Sequence, residues 1–168
     1  MGRKSIKDDK NIYFTSREEA GLTRAQASEL IGTISESRLE KLETDKISIQ
    51  PEDVVDMARA YKKPELCNYY CTHECRIGKD TVPEVKSSSL SEIVLVMLSA
   101  LNALDKQKSR LIDITADGVI SDDELPDFVN IQKQLEQIDL TVEALKLWVS
   151  NTIAEGKIDQ KKLKELHK

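Results

Sequence analysis

Residues 17–43 read REEAGLTRAQASELIGTISESRLEKLE, and this stretch decides the fold. Gly21 ends a first helix, and Thr23 caps a second that starts at Arg24. That second helix is expected to carry Ala27, Leu30 and Ile31 inward. Gly32 permits a sharp turn, and Ser35 caps a third helix with Leu39 and Leu42 inward. Ser and Thr serve here because their side-chain oxygens accept from the unpaired N–H groups of a first turn. Pro51 then opens a fourth helix, with Val54, Val55, Met57, Ala58 and Tyr61 as its apolar face.

The ordered set Arg17, Gly21-Leu22-Thr23, Ser28, Gly32, Ser35, Leu39, Leu42-Glu43, Pro51 and Ala58 resembles the phage-repressor-like helix-turn-helix family, the XRE or Cro type. The resemblance covers residues 11–62. It implies an N-terminal lambda-repressor-like domain of four or five helices. In such a domain the third helix lies in the major groove of double-stranded DNA. Carried over, Glu36, Ser37 and Lys41 would face base edges. Thr23, Arg24 and Gln26 on the second helix, and Lys46 after the third, would sit near phosphates. Arg38 would serve in either role, and Ser35, at the head of the third helix, belongs to the same set. A basic arm of Arg3, Lys4, Lys7 and Lys10 would add phosphate or minor-groove contacts. Three departures stand out. The turn after Gly32 is one residue longer than usual. The loop from Glu43 to Pro51 is longer too, with Asp45 where Gly is usual. Glu36, Glu40 and Glu43 on the recognition helix would repel phosphates.

The chain has 168 residues, 33% of them charged and only 4% aromatic, with six Gly and four Pro. Such a mix favours helices, and the expected class is all-α. The net charge is −5. Residues 1–66 hold 12 basic and 13 acidic residues, and residues 88–168 hold 10 and 14. The acidity therefore sits in the C-terminal half, and contact with DNA must come from local patches. No apolar run is long enough to span a membrane, and MGRKSIKDDK has no apolar stretch behind its charges. A cytoplasmic location is the expectation.

Three segments are expected: residues 1–66 as the DNA-binding domain, 67–88 as a cysteine-bearing connector, and 89–168 as a helical hairpin. In the last, Leu90, Val94, Met97, Leu101, Leu104 and Leu111 recur in steps of three and four, with Lys108 filling one slot. Phe128, Ile131, Leu135, Ile138, Val142, Leu145 and Val149 do the same. Such steps keep one stripe facing a partner helix, as in a coiled coil. The turn falls at Asp117-Gly118, and Ser121 with Glu124 forms a capping box. The second helix is expected over 122–154, roughly 50 Å long, and the first over about 25 residues. Leu145, Trp148, Val149 and Ile153 then overhang. Residues 159–167, folding back as a last helix, or a second chain would cover them. A homodimer through residues 89–168 is favoured, because a two-helix hairpin buries little apolar surface alone.

The cysteines cluster as LCNYYCTHECRIG, placing Cys67, Cys71 and Cys75 around His73. These are ligand types for zinc or an iron–sulfur cluster. Steps of four also describe a stripe of buried free thiols beside Tyr69 and Tyr70, and redox sensing is a third reading. Residues 113–124, DITADGVISDDE, resemble an EF-hand loop. Asp113, Thr115, Asp117, the Val119 carbonyl and Glu124 would supply oxygens to calcium. A glycine turn followed by a capping box spells the same letters, and no second loop is present. No nucleophile elbow, phosphate-cradling loop or nucleotide fingerprint occurs, so no enzyme is expected. The expected function is DNA-binding transcriptional regulation. The alternative is a protein-interaction adaptor that keeps the helix-turn-helix fold without binding DNA.

Overall fold

The computed structural model describes residues 10–166. Among them are ten helices and no strand. They are α1 Ile12–Glu19, α2 Arg24–Ile31, α3 Glu36–Glu43, α4 Pro51–Tyr61, α5 Glu65–His73, α6 Gly78–Thr81, α7 Leu90–Lys106, α8 Lys108–Ile114, α9 Leu125–Ala154 and α10 Gln160–Leu166. The chain forms two compact units. One comprises the residues up to Val82 together with those from Ser150 onward, and the other spans Pro83–Val149.

The first unit gathers α1–α5 around one core of Tyr13, Ala27, Ile34, Leu39, Leu42, Ile49, Val54, Met57, Ala58, Tyr61 and Leu66, and α6 packs on α5. Each helix starts where its sequence supplies an acceptor. Asn11 Oδ1 accepts from Phe14 N, Thr23 and Gln26 cap each other, and Ser35 Oγ accepts from Arg38 N. Leu30 is 60% exposed and Val55 38%, against the inward placement expected for both. On a helix of eight residues, Ala27 and Ile31 fill the one side that faces the core, and Leu30 lies beside it. Val55 lines a cleft with Ala58, Cys67, Ile153 and Ala154. Ile153, which α10 or a second chain was expected to cover, lines the same cleft. The expected boundary after Leu66 falls inside α5, since Leu66, Cys67, Tyr69 and Tyr70 all pack on the core.

The second unit is a helical hairpin. Arg110 of α8 pairs with Asp127 of α9 at 2.6 Å, while Ile93 and Val96 of α7 share a cavity with Leu140, Thr141 and Ala144 of α9. Early residues of α7 thus meet late residues of α9, and α8 meets the start of α9, which makes the arrangement antiparallel. Ser89 and Glu92 cap α7 reciprocally. The first arm breaks at Gln107, between α7 and α8. Of the expected stripe residues only Ile131 is buried, whereas Leu90, Val94, Leu101, Leu135 and Val142 are exposed; the buried residues of α7, Ile93 and Ala100, lie off the expected stripe. A single partner helix covers one edge of such a stripe and leaves the other edge to solvent.

Candidate nucleic-acid interface

The turn between α2 and α3 begins at Gly32, whose φ of 74° ends α2 in the left-handed region. Ile34 follows and is buried at 2% exposure, anchoring the turn from below. The Ser28 hydroxyl donates to the Ile34 carbonyl at 2.8 Å, tying the turn back to α2. The extra residue of the turn is therefore a packed one. Ser35 then starts α3, and Leu39 and Leu42 point into the core. Their burial fixes which side of α3 looks outward. That side carries Glu36, Ser37, Glu40 and Lys41, all exposed.

The end of α3 is held by charge. Glu43 is fully buried and receives Arg17 Nε at 2.5 Å, Arg17 Nη2 at 3.1 Å and Arg24 Nε at 2.7 Å. Arg17 also donates to the Leu22 carbonyl. The hydrogen bonds that Arg17 donates to Glu43 hold its guanidinium above its ordinary pKa, against the burial that would lower it. Lys10, Arg17 and Arg24 lie over the Phe14 ring, 4.7–5.9 Å from its centroid. Glu43 therefore presents no negative charge to a groove, contrary to the repulsion expected of it. Its partners lie 19 and 26 residues away, so nothing local in the sequence reveals the pairing.

Asp45 takes φ 54°, the left-handed conformation that Gly usually supplies there. It is held by Asn11 Nδ2, which donates to Asp45 Oδ1 at 2.9 Å and to the Leu42 carbonyl at 2.7 Å. One side chain thus caps α1 and closes the end of α3. Asp is among the few residues that tolerate this backbone region.

The expected DNA-contacting residues lie on α2, on α3 and just after α3. Thr23, Gln26, Ser35, Glu36, Ser37, Lys41 and Lys46 are exposed. Arg24 keeps 32% of its side chain exposed while paired to Glu43. Arg38 keeps 43% exposed while Nη2 donates to Asp53 at 2.7 Å. Among the described residues Lys41 and Lys46 have no ion-pair partner, so their charges are available to a ligand. In the basic arm only Lys10 is described, and it pairs with Glu18. Arg3, Lys4 and Lys7 lie outside the described residues.

The cysteine segment is built into the same unit. Cys67 and Cys71 lie on α5 and Cys75 just beyond it. Burial pushes the Cys67 and Cys71 thiols up, and the neighbouring Cys71 and Cys75 add to the shift. His73 stacks on Tyr69 with ring centroids 4.2 Å apart, and its Nδ1 is 2.8 Å from Thr72 Oγ1. Tyr69 meets Tyr13 edge-on, and the Tyr13 hydroxyl donates to Glu74 at 2.6 Å. Among the described residues no three Cys, His, Asp or Glu side chains converge as a metal-ligand group. Cys67, Cys71, His73 and Cys75 are therefore not assembled into one. The Asp113–Glu124 stretch is also distributed. Asp113 lies within α8, and the Thr115 hydroxyl donates to the Leu111 carbonyl. Asp117 Oδ1 accepts from Val119 N, and Glu124 caps Ser121. These are the contacts of a turn and a capping box.

Among the described residues no helix is long and apolar enough to cross a membrane. No curated protein and no solved structure matches the chain. A family model does match residues 15–72, from within α1 to near the end of α5, and its description is a helix-turn-helix domain.

Proposed function

We propose that the protein is a sequence-specific DNA-binding transcriptional regulator of the XRE or Cro type, acting in the cytoplasm as a binding protein rather than an enzyme. The observation that supports it most is the open outer face of α3. Glu36, Ser37, Glu40 and Lys41 stand in solvent on a helix whose other side is locked by Leu39, Leu42 and Glu43. A rigid, exposed helix after a tight turn is the geometry that enters a major groove. Lys41 would reach guanine, and Glu36 or Glu40 would accept from a cytosine amino group. Thr23 and Gln26 at the start of α2, and Lys46 after α3, would hold phosphates. Two chains joined through residues 89–168 belong to the same reading, since two recognition helices then address two half-sites.

Few unpaired cations border this face, so specificity should rest on base contacts more than on bulk attraction. The test is selection from random duplexes with the full-length protein. A defined motif is expected, with a shallow salt dependence of roughly two to four phosphate contacts. No enriched motif would overturn the regulator and leave an adaptor working through its helical half.

A further inference from the structure

Helix α7 has a composition foreign to water. From Leu90 to Leu104 it holds one charged residue, Glu92, and that carboxylate is spent on the Ser89 cap. A helix that is apolar nearly all round is normally buried. Yet only Ile93 and Ala100 on it are buried. Leu90, Val94, Leu98 and Leu101 remain between 39 and 52% exposed. They succeed one another by four, four and three residues, so they lie along one side of the helix. On α9, Leu135 and Val142 are 48 and 36% exposed and stand seven residues apart, again on one side.

We infer that these two stripes form a self-complementary seam, through which the hairpins of two chains associate into a four-helix bundle. Three observations favour a second copy as the occupant. First, Val94 and Leu101 on α7 and Leu135 and Val142 on α9 each stand seven residues apart, the spacing that lets helices interdigitate as knobs into holes. Second, among the described residues the other unit offers no matching surface: its large exposed apolar residues there are Leu30, Ile47, Val55, Ile77 and Leu166, scattered over different elements. Third, the size fits. Six side chains at these exposures present on the order of 400 Å² of apolar surface, the size of patch that on a monomer often marks an interaction site. A standard interface buries about 800 Å² per partner, a little over half of it apolar. The seam therefore supplies about the apolar share that a stable dimer requires. This inference rests on the two-chain reading above and adds to it the face that joins the chains.

Sedimentation velocity of the full-length protein tests it, with circular dichroism to verify helicity. The wild type is expected near 38 kDa, twice the 19.0 kDa chain. Val94→Glu and Leu101→Glu each place a charge in the seam and are expected to raise the dissociation constant at least about 100-fold. Leu95→Glu, on another side of α7, should leave the dimer intact. Dimers that persist in both seam variants would overturn this face while leaving the two-chain reading standing. A wild type near 19 kDa from about 1 to 100 μM would overturn both. Should a seam variant lose helicity, hydrogen exchange of the wild type decides. Protection over residues 90–104 should rise with protein concentration, and protection independent of concentration would overturn the seam.

Discussion

Glu43 shows how one residue can be misread from sequence and decide a structure. In the string its charge belongs to a recognition helix; in the fold it is the anchor that fastens α3 to α1 and α2. Glu43→Gln should leave Arg17 buried without its counter-charge, at a cost of about 3–5 kcal/mol. Urea denaturation followed by circular dichroism measures this, and a loss below 1 kcal/mol would contradict the anchoring role. Gly78 is a second such position. A Cβ there would lie 2.3 Å from the Cys71 carbonyl oxygen, a backbone atom that cannot move alone. Gly78→Ala is therefore expected to push α6 off α5 and cost about 1–3 kcal/mol. The readout is the urea midpoint, and an unchanged midpoint would show that α6 yields freely.

At the scale of elements, the caps and turns were legible, because they are local. Thr23, Ser35 and Ser121 each start a helix or its capping turn as their sequence context implies. Ile34 was not legible, since a buried residue inside a turn has no periodicity to reveal it. Nor was the side of α7 that faces α9, because apolar residues surround that helix and several phases fit equally well. The functional prediction at this scale concerns α3. Lys41 is exposed, unpaired among the described residues, and on the outer face. Lys41→Ala should weaken binding to a selected duplex by about 1–3 kcal/mol and relax preference at one base pair. Fluorescence anisotropy with matched and mismatched duplexes would show it. Equal losses on every sequence would assign Lys41 to phosphate instead.

For the whole molecule, buried acidic protons link stability to pH. Burial raises the Cys67 and Cys71 thiols, and burial with a hydrogen bond to Glu74 raises Tyr13. Burial and the nearby Glu43 raise Tyr61. Each group keeps its proton to higher pH in the folded chain than in the unfolded one. Their contribution is complete below the unfolded pKa and is lost as pH rises through the folded one. Unfolding free energy should therefore be level near neutrality and fall from about pH 8.5, where unfolded thiols ionise. In a Cys67→Ala, Cys71→Ala variant the onset should move toward pH 10, where unfolded tyrosines ionise. Denaturation curves across pH 6–11 check both: a wild-type profile flat to pH 10, or a variant that still falls from about pH 8.5, would contradict them. By itself the sequence determined the helical class, the helix-turn-helix and the hairpin. Those follow from caps, glycines and apolar spacing within a few residues of one another. Only tertiary structure decided that Glu43 is buried, that Asn11 secures Asp45, and which residues of each hairpin stripe stay open. Those depend on partners 17 or more residues away, or on which side of a helix finds a neighbour, and no local pattern encodes either.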